Sequence, residues 1–231
     1  MTISLENYLK SIYLLSANDQ PASGKALAEK LSVSPAAVTD MTRKLARKGL
    51  VHYSRYQGIL LTDHGMSMAL SVLRKHRLWE LFLVNTLGLS WDEVHREAEN
   101  LEHISSDFLI DKIDKHLGYP KYDPHGAPIP DKSGKLTLHP SCKSLQDATQ
   151  GKSYRITMVD DTNHEFLTFI TKKGISLGNE IFVREVLSFD GTIVIDCNNQ
   201  SFSLSRESAG RVFVTPLIAD SKTDEPGKET V

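Results

Sequence analysis

The most constraining feature of this chain is a tight polar turn, Ser32-Val33-Ser34-Pro35, set between two short helical patterns and followed by a hairpin. Proline suits the first position of a helix because its missing N–H has no partner there, and a serine before it caps the next free amides. Ser34-Pro35 therefore starts a helix over residues 35–48 that buries Val38, Met41 and Leu45 and stops at Gly49. Upstream, Ser23 caps a short helix carrying Leu27, Ala28 and Leu31, and Leu5, Tyr8, Leu9, Ile12 and Leu15 repeat at helical spacing. Downstream, Leu50-Val51-His52-Tyr53-Ser54-Arg55, a polar tip at Gln57-Gly58 and Ile59-Leu60-Leu61-Thr62 read as a β-hairpin. Helix, helix, tight turn, helix, hairpin is the order of a winged helix-turn-helix, here assigned to residues 1–72.

A helix that enters a DNA major groove needs small or polar side chains near its N-terminus. Ser34, Pro35, Ala36, Ala37, Thr39 and Asp40 meet that need, while Arg43, Lys44 and Arg47 farther along and Arg55 on the wing can reach phosphates. Residues 1–75 carry ten basic and five acidic groups, whereas residues 76–125 carry five basic and ten acidic ones. The bland alternative is a three-helix core with a basic surface. Turn chemistry, pattern and charge sign together favour double-stranded DNA as the partner of the basic head.

Beyond the hairpin, helices are expected over residues 62–87, 90–104 and 106–117, with apolar faces wide enough for a dimer interface. Residues 118–130 form a stiff connector rich in proline, and the helical region with this connector covers residues 73–140. Residues 141–151 read as a polar linker. Short strands and one helical stretch over residues 152–218 suit a small β-barrel, and residues 219–231 a charged, disordered tail. The expected fold class is mainly α with a small β domain.

The acidic middle holds the sharpest chemistry. At about 100° per residue, His95, Glu99, Glu102 and His103 fall within one arc of a helix, and the preceding helix offers His76 and Glu80 at i, i+4. Any single pair reads best as solvated surface charge, but six such groups on two faces point to a divalent cation, which relieves the repulsion between Glu99 and Glu102. Imidazole and carboxylate without a nearby thiolate suit Mn²⁺ or Fe²⁺ better than structural zinc. Cys142 and Cys197 lack CxxC spacing, and no phosphate loop or nucleophile elbow is present.

Three segments together, Ser34-Pro35-Ala36-Ala37-Val38-Thr39, His76-Arg77-Leu78-Trp79-Glu80 and Glu99-Asn100-Leu101-Glu102-His103, resemble the metal-dependent regulators related to the diphtheria toxin repressor. The resemblance spans all three of their regions, including a connector like Asp123-Pro124-His125-Gly126-Ala127-Pro128-Ile129-Pro130 and a C-terminal SH3-like, FeoA-like domain. It implies a homodimer that binds operator DNA when metal is loaded. One site would use Glu99, Glu102 and His103 with a first-helix ligand. A second would use His76, Glu80 and His95, extended by His125, Asp123 and Asp160. Glu99 stands where the iron-responsive branch has cysteine, which favours the manganese-responsive members. At the first helix the family's methionine or aspartate is replaced by Asn7, with Glu6 before it and Lys10 after.

The expectation is a Mn²⁺-activated repressor of metal-uptake genes, not an enzyme, without an organic substrate. Its Fe²⁺-responsive counterpart and a winged-helix regulator gated by a small organic effector are the alternatives. Met1-Thr2-Ile3-Ser4-Leu5-Glu6 lacks the basic and apolar regions of a signal peptide, and no apolar run approaches the ~20 residues that span a bilayer, so a cytoplasmic location without membrane contact is expected.

Overall fold

Side-chain caps start most of the helices in this protein. The computed structural model describes residues 3–16, 20–54 and 58–217. They fall into two units, Met1–Leu138 and His139–Val231.

In the first unit, α1 (Ile3–Leu15), α2 (Gly24–Leu31) and α3 (Pro35–Arg47) are followed by β1 (Val51–Ser54) and β2 (Gly58–Leu61). Ser23 Oγ accepts from the Ala26 amide and Ser34 Oγ from the Ala37 amide, as the sequence leads one to expect. Between the two helices Ser32 turns the chain at φ 52°. The hairpin is antiparallel with Val51 opposite Leu61, and Ala22 bridges to Ile59 as a third short edge. Leu5, Leu9, Ile12, Leu27, Val38, Leu45 and Ile59 fill the core beneath. On α3 the fully buried stripe is Val38, Thr42 and Leu45, at helical i, i+4, i+7 spacing, and the expected Met41 lies half-buried beside it.

The long α4 (Asp63–Phe82) begins where Thr62 Oγ1 accepts the Gly65 amide and donates to the Gly49 carbonyl. A Cβ at Gly65 would lie 2.0 Å from the Leu50 carbonyl oxygen. Backbone cannot move aside cheaply there. Gly65→Ala is therefore expected to destabilise the first unit by about 2–3 kcal/mol through overpacking, read as a lowered midpoint in chemical denaturation. The helix expected to run to residue 87 instead ends at Phe82 and passes through a π-helical turn (Leu83–Leu87) to Gly88 at φ 71°. Next come α5 (Trp91–Ile104), closed by the Ser90–Glu93 capping box, and α6 (Asp107–His116), capped by Ser106. Leu78, Ile110, Ile113 and Ile129 form a second core. The connector is held in a fixed shape: Asp123 Oδ1 accepts from the His125 and Ala127 amides at 2.8 and 2.9 Å.

The second unit is a six-stranded antiparallel sheet in the order β3-β8-β4-β5-β6-β7. Its strands are β3 (Lys143–Ser144), β4 (Ser153–Val159), β5 (Glu180–Val186), β6 (Ile193–Cys197), β7 (Gln200–Leu204) and β8 (Val212–Pro216). Two helices, α7 (His164–Lys172) and α8 (Arg206–Gly210), complete it. Three features differ from the sequence reading. Residues 141–151 are more than a linker: β3 pairs with β8, and Leu145 and Ala148 are buried. Among the described residues, β3 and β7 do not pair, so the sheet is not closed into a barrel by hydrogen bonds. The alternation alone marks no element over residues 198–210, yet Asn198 and Asn199, at φ 50° and 61°, make the two-residue turn that joins β6 to β7. The expected tail at residues 219–231 lies outside the described residues. Among the described residues, no helix is long and apolar enough to cross a membrane.

Candidate metal centre

α4 and α5 pack side by side with α1 across them, and the six His and Glu side chains singled out by helical spacing come together there. His76 is the hub. Its Nε2 lies 3.0 Å from Glu80 Oε1 and 3.2 Å from His95 Nδ1, and its Nδ1 lies 2.6 Å from Glu102 Oε2. Glu102 Oε1 is 3.2 Å from His103 Nε2, and His103 Nδ1 is 2.6 Å from Glu6 Oε2 on α1. Glu99 Oε1 lies 3.9 Å from His95 Nε2. The connector adds His125, whose Nδ1 is 3.8 Å from the other Glu80 oxygen, and Asp123 stands beside it. His76, Glu80 and His95 each offer a ligand atom within 4.8 Å of the others; so do Glu80, Asp123 and His125, and so do His76, Glu99 and Glu102.

The donor set suits a hard divalent cation. Five carboxylates (Glu6, Glu80, Glu99, Glu102, Asp123) face two permanent cations, Lys10 and Arg77, leaving an excess of negative charge in a largely buried place. Burial alone pushes the His76 imidazole down, but the Glu80 charge and the hydrogen bonds to Glu102 and Glu80 outweigh it and raise the group to about 10. Burial pushes the Glu80 carboxyl up, and the facing His76, with His95 and His125, holds it well below the usual carboxylate range. A cluster that keeps a proton on an imidazole so strongly is one that demands positive charge. Two oxygen atoms are also left over: Asn7 Oδ1 and Glu80 Oε2 are buried without a hydrogen-bond partner. Buried polar atoms are rarely left so unless something else binds them.

Other expected residues fall in different places. Asn7 lies on α1, one turn before Lys10, with its Oδ1 buried and without a hydrogen-bond partner. Asp160 is engaged within its own unit, its Oδ2 2.9 Å from Arg211 Nη1 and its Oδ1 accepting the Thr162 amide. Ala36, Ala37, Asp40, Arg43, Lys44 and Arg47 are exposed on α3, with Thr39 half-buried and its hydroxyl donating to the Pro35 carbonyl. Arg55 lies outside the described residues. Two members of the cluster are cations, which ligand chemistry does not mark in the sequence. Lys10 sits in the middle of it, and Arg77 ties the connector to α4, with Nε 3.4 Å from Asp123 Oδ2 and Nη1 donating to the Pro128 carbonyl. The signal for Lys10 was present, since it follows Glu6 and Asn7 at i+4 and i+3 on one helical face.

A winged helix-turn-helix whose first helix also walls a buried carboxylate–imidazole cluster defines a DNA-binding regulator controlled by a metal ion. Residues 1–59 match the family described as "Iron dependent repressor, N-terminal DNA binding domain", residues 62–131 "Iron dependent repressor, metal binding and dimerisation domain", and residues 143–216 the "FeoA domain". The diphtheria toxin repressor of Corynebacterium efficiens is 30% identical over 218 residues, covering 90% of this chain and 94% of that protein. A solved manganese-dependent transcriptional repressor in complex with manganese superposes with a TM-score of 0.86 at 36% identity, covering 92% of this chain and all of that one. The manganese regulator SloR superposes at 0.81 with 37% identity, over 94% of this chain and 100% of its own. The chain belongs to the diphtheria toxin repressor family of metal-dependent transcriptional repressors.

Proposed function

We propose that this protein is a Mn²⁺-activated repressor that binds operator DNA as a homodimer in the cytoplasm. The observation that carries this reading is the convergence of carboxylates and imidazoles from α1, α4 and α5, with no sulfur among the donors, on one buried place. In this reading His76, Glu80 and His95, with Asp123 and His125 from the connector, hold one ion, and Glu99, Glu102 and His103 with α1 hold another. Asp160, whose carboxylate faces Arg211 within the second unit, is left out of this reading. Glu99, a hard oxygen donor, favours Mn²⁺ over softer competitors. Bound there, a divalent cation supplies the positive charge that the carboxylates lack.

What the chain itself contributes is position. α1 is both a wall of the cluster, through Glu6 and Lys10, and a part of the DNA-binding core, through Leu5, Leu9 and Ile12. Whatever fixes α1 on α5 therefore fixes α3. In a dimer the two α3 helices must stand about 34 Å apart to enter successive major grooves. The exposed Ile104, Phe108 and Leu109, where α5 meets α6, offer the apolar face for a second copy.

The test is fluorescence anisotropy of a labelled duplex from upstream of a metal-transporter gene, with chelator, then Mn²⁺, then anaerobic Fe²⁺. A rise in affinity of tenfold or more with Mn²⁺ supports the reading. A larger response to Fe²⁺ assigns the iron instead, and tight binding regardless of metal removes the switch. In the same assay Lys44→Ala is expected to weaken binding uniformly across sequences and to flatten the salt dependence by about one unit of slope.

A further inference from the structure

Lys10 occupies the place in the cluster where positive charge is most needed. Its stem and ammonium are buried, with 5% of the residue exposed. The Nζ atom lies 2.6 Å from Glu99 Oε1 and 2.8 and 2.9 Å from the two oxygens of Glu102. An ammonium has three N–H donors, and these three contacts use them all. The three contacts join α1 to α5, across the same boundary that a divalent ion between those helices would bridge. Beside them, on α1, the Asn7 side chain brings an amide oxygen, buried and without a hydrogen-bond partner, and no charge.

We propose that Lys10 is a resident cation which neutralises the Glu99–Glu102 pair in the metal-free protein and has to leave before that pair takes a divalent ion. The inference rests on the metal-gated reading above and deepens it. The same carboxylate oxygens cannot serve an ammonium and a divalent cation at contact distance, because the two positive charges repel each other in a place with little water to screen them. Binding is therefore an exchange, and its free energy is reduced by whatever the lysine contacts contributed. Lys10 thus sets the metal concentration at which this site fills, and it holds α1 on α5 in the meantime. The long, flexible stem allows the ammonium to swing out without disturbing the helix.

The experiment is a Mn²⁺ titration of the full chain, followed by the electron paramagnetic resonance of the free ion, for wild type, Lys10→Met, Lys10→Gln and Lys10→Arg. Thermal melts in chelator accompany it. Methionine keeps an unbranched stem without charge, glutamine keeps a donor, and arginine keeps the charge. The expected result is Mn²⁺ affinity at least tenfold tighter in the Met and Gln variants, with wild-type behaviour in the Arg variant. The melting temperature in chelator should fall in the two neutral variants, because Glu99 and Glu102 then lose the cation they share. Wild-type protein that binds Mn²⁺ while Met and Gln variants bind it no more tightly overturns the role of Lys10 and leaves the metal-gated reading intact. No Mn²⁺ binding in any of the four proteins removes that reading and this inference with it.

Discussion

Glu80→Gln is expected to lower Mn²⁺ affinity at least 100-fold, about 2.8 kcal/mol, and to reduce DNA binding to the level measured in chelator. Glu80 is fully buried, and its two oxygens face different partners: Oε1 looks to His76 and His95, at 3.0 and 3.3 Å, and Oε2 to His125 at 3.8 Å. One carboxylate therefore serves both the helical donors and the connector, and no neighbouring side chain can replace it. Glutamine conserves the volume and one carbonyl oxygen, so the variant loses charge and not packing. Glu80→Ala would break a buried charge pair and cost about 3–5 kcal/mol of stability in addition, which would obscure the metal effect. A second readout separates loss of a ligand from a local distortion. Burial by itself pushes the His76 imidazole down, and the Glu80 charge is what chiefly opposes that. In Glu80→Gln without metal, proton titration by nuclear magnetic resonance should find the His76 imidazole lower than in the wild type. A variant that binds Mn²⁺ as the wild type does would remove Glu80 from the ligand set.

The parts of this molecule legible in its sequence are those where one residue type dictates one backbone geometry. Ser34-Pro35 announces a helix start, and so do Ser23, Thr62, Ser90 and Ser106; all five stand at helix N-caps. The ligand types were legible because helical periodicity places residues on one face without knowledge of the tertiary fold. What periodicity cannot give is the angle at which two such faces meet, and so His76 as the hub between Glu80, His95 and Glu102 emerges only in three dimensions. Lys10 is not marked by ligand chemistry, because an ammonium offers a metal ion no donor atom. The second unit was harder to read. Its strands are short, β3 has two residues, and the burial of Leu145 depends on a partner strand some 70 residues away. Asp160 is expected as a ligand only through the family resemblance, and the partner of its charge, Arg211 at the sheet edge, is visible only in three dimensions.

Replacing Ile104 and Phe108 together by glutamate is expected to turn the protein into a monomer at micromolar concentration and to weaken operator binding about 1000-fold or more at saturating metal. Ile104 is 75% exposed and Phe108 72%, with Leu109 at 43% between them and the core. Water-facing apolar groups of this size, grouped where two helices join, cost solubility unless something covers them. Lys112 lies over the Phe108 ring, 5.1 Å from its centre, and shields one face only. Burying one such side chain stabilises an interface by about 1.5–3 kcal/mol, and a twofold axis makes every residue count twice. Four side chains then contribute more than the roughly 4 kcal/mol that a 1000-fold loss represents, and four carboxylates in their place add repulsion. The effect on DNA follows from geometry, since a monomer presents one α3 to a site built for two. Metal binding provides the control. The donors of α5 point toward α1 and α4, His103 with its side chain only 4% exposed, so Mn²⁺ titration of the double variant should match the wild type. Sedimentation equilibrium that still finds a dimer would place the interface on another face of the helical region.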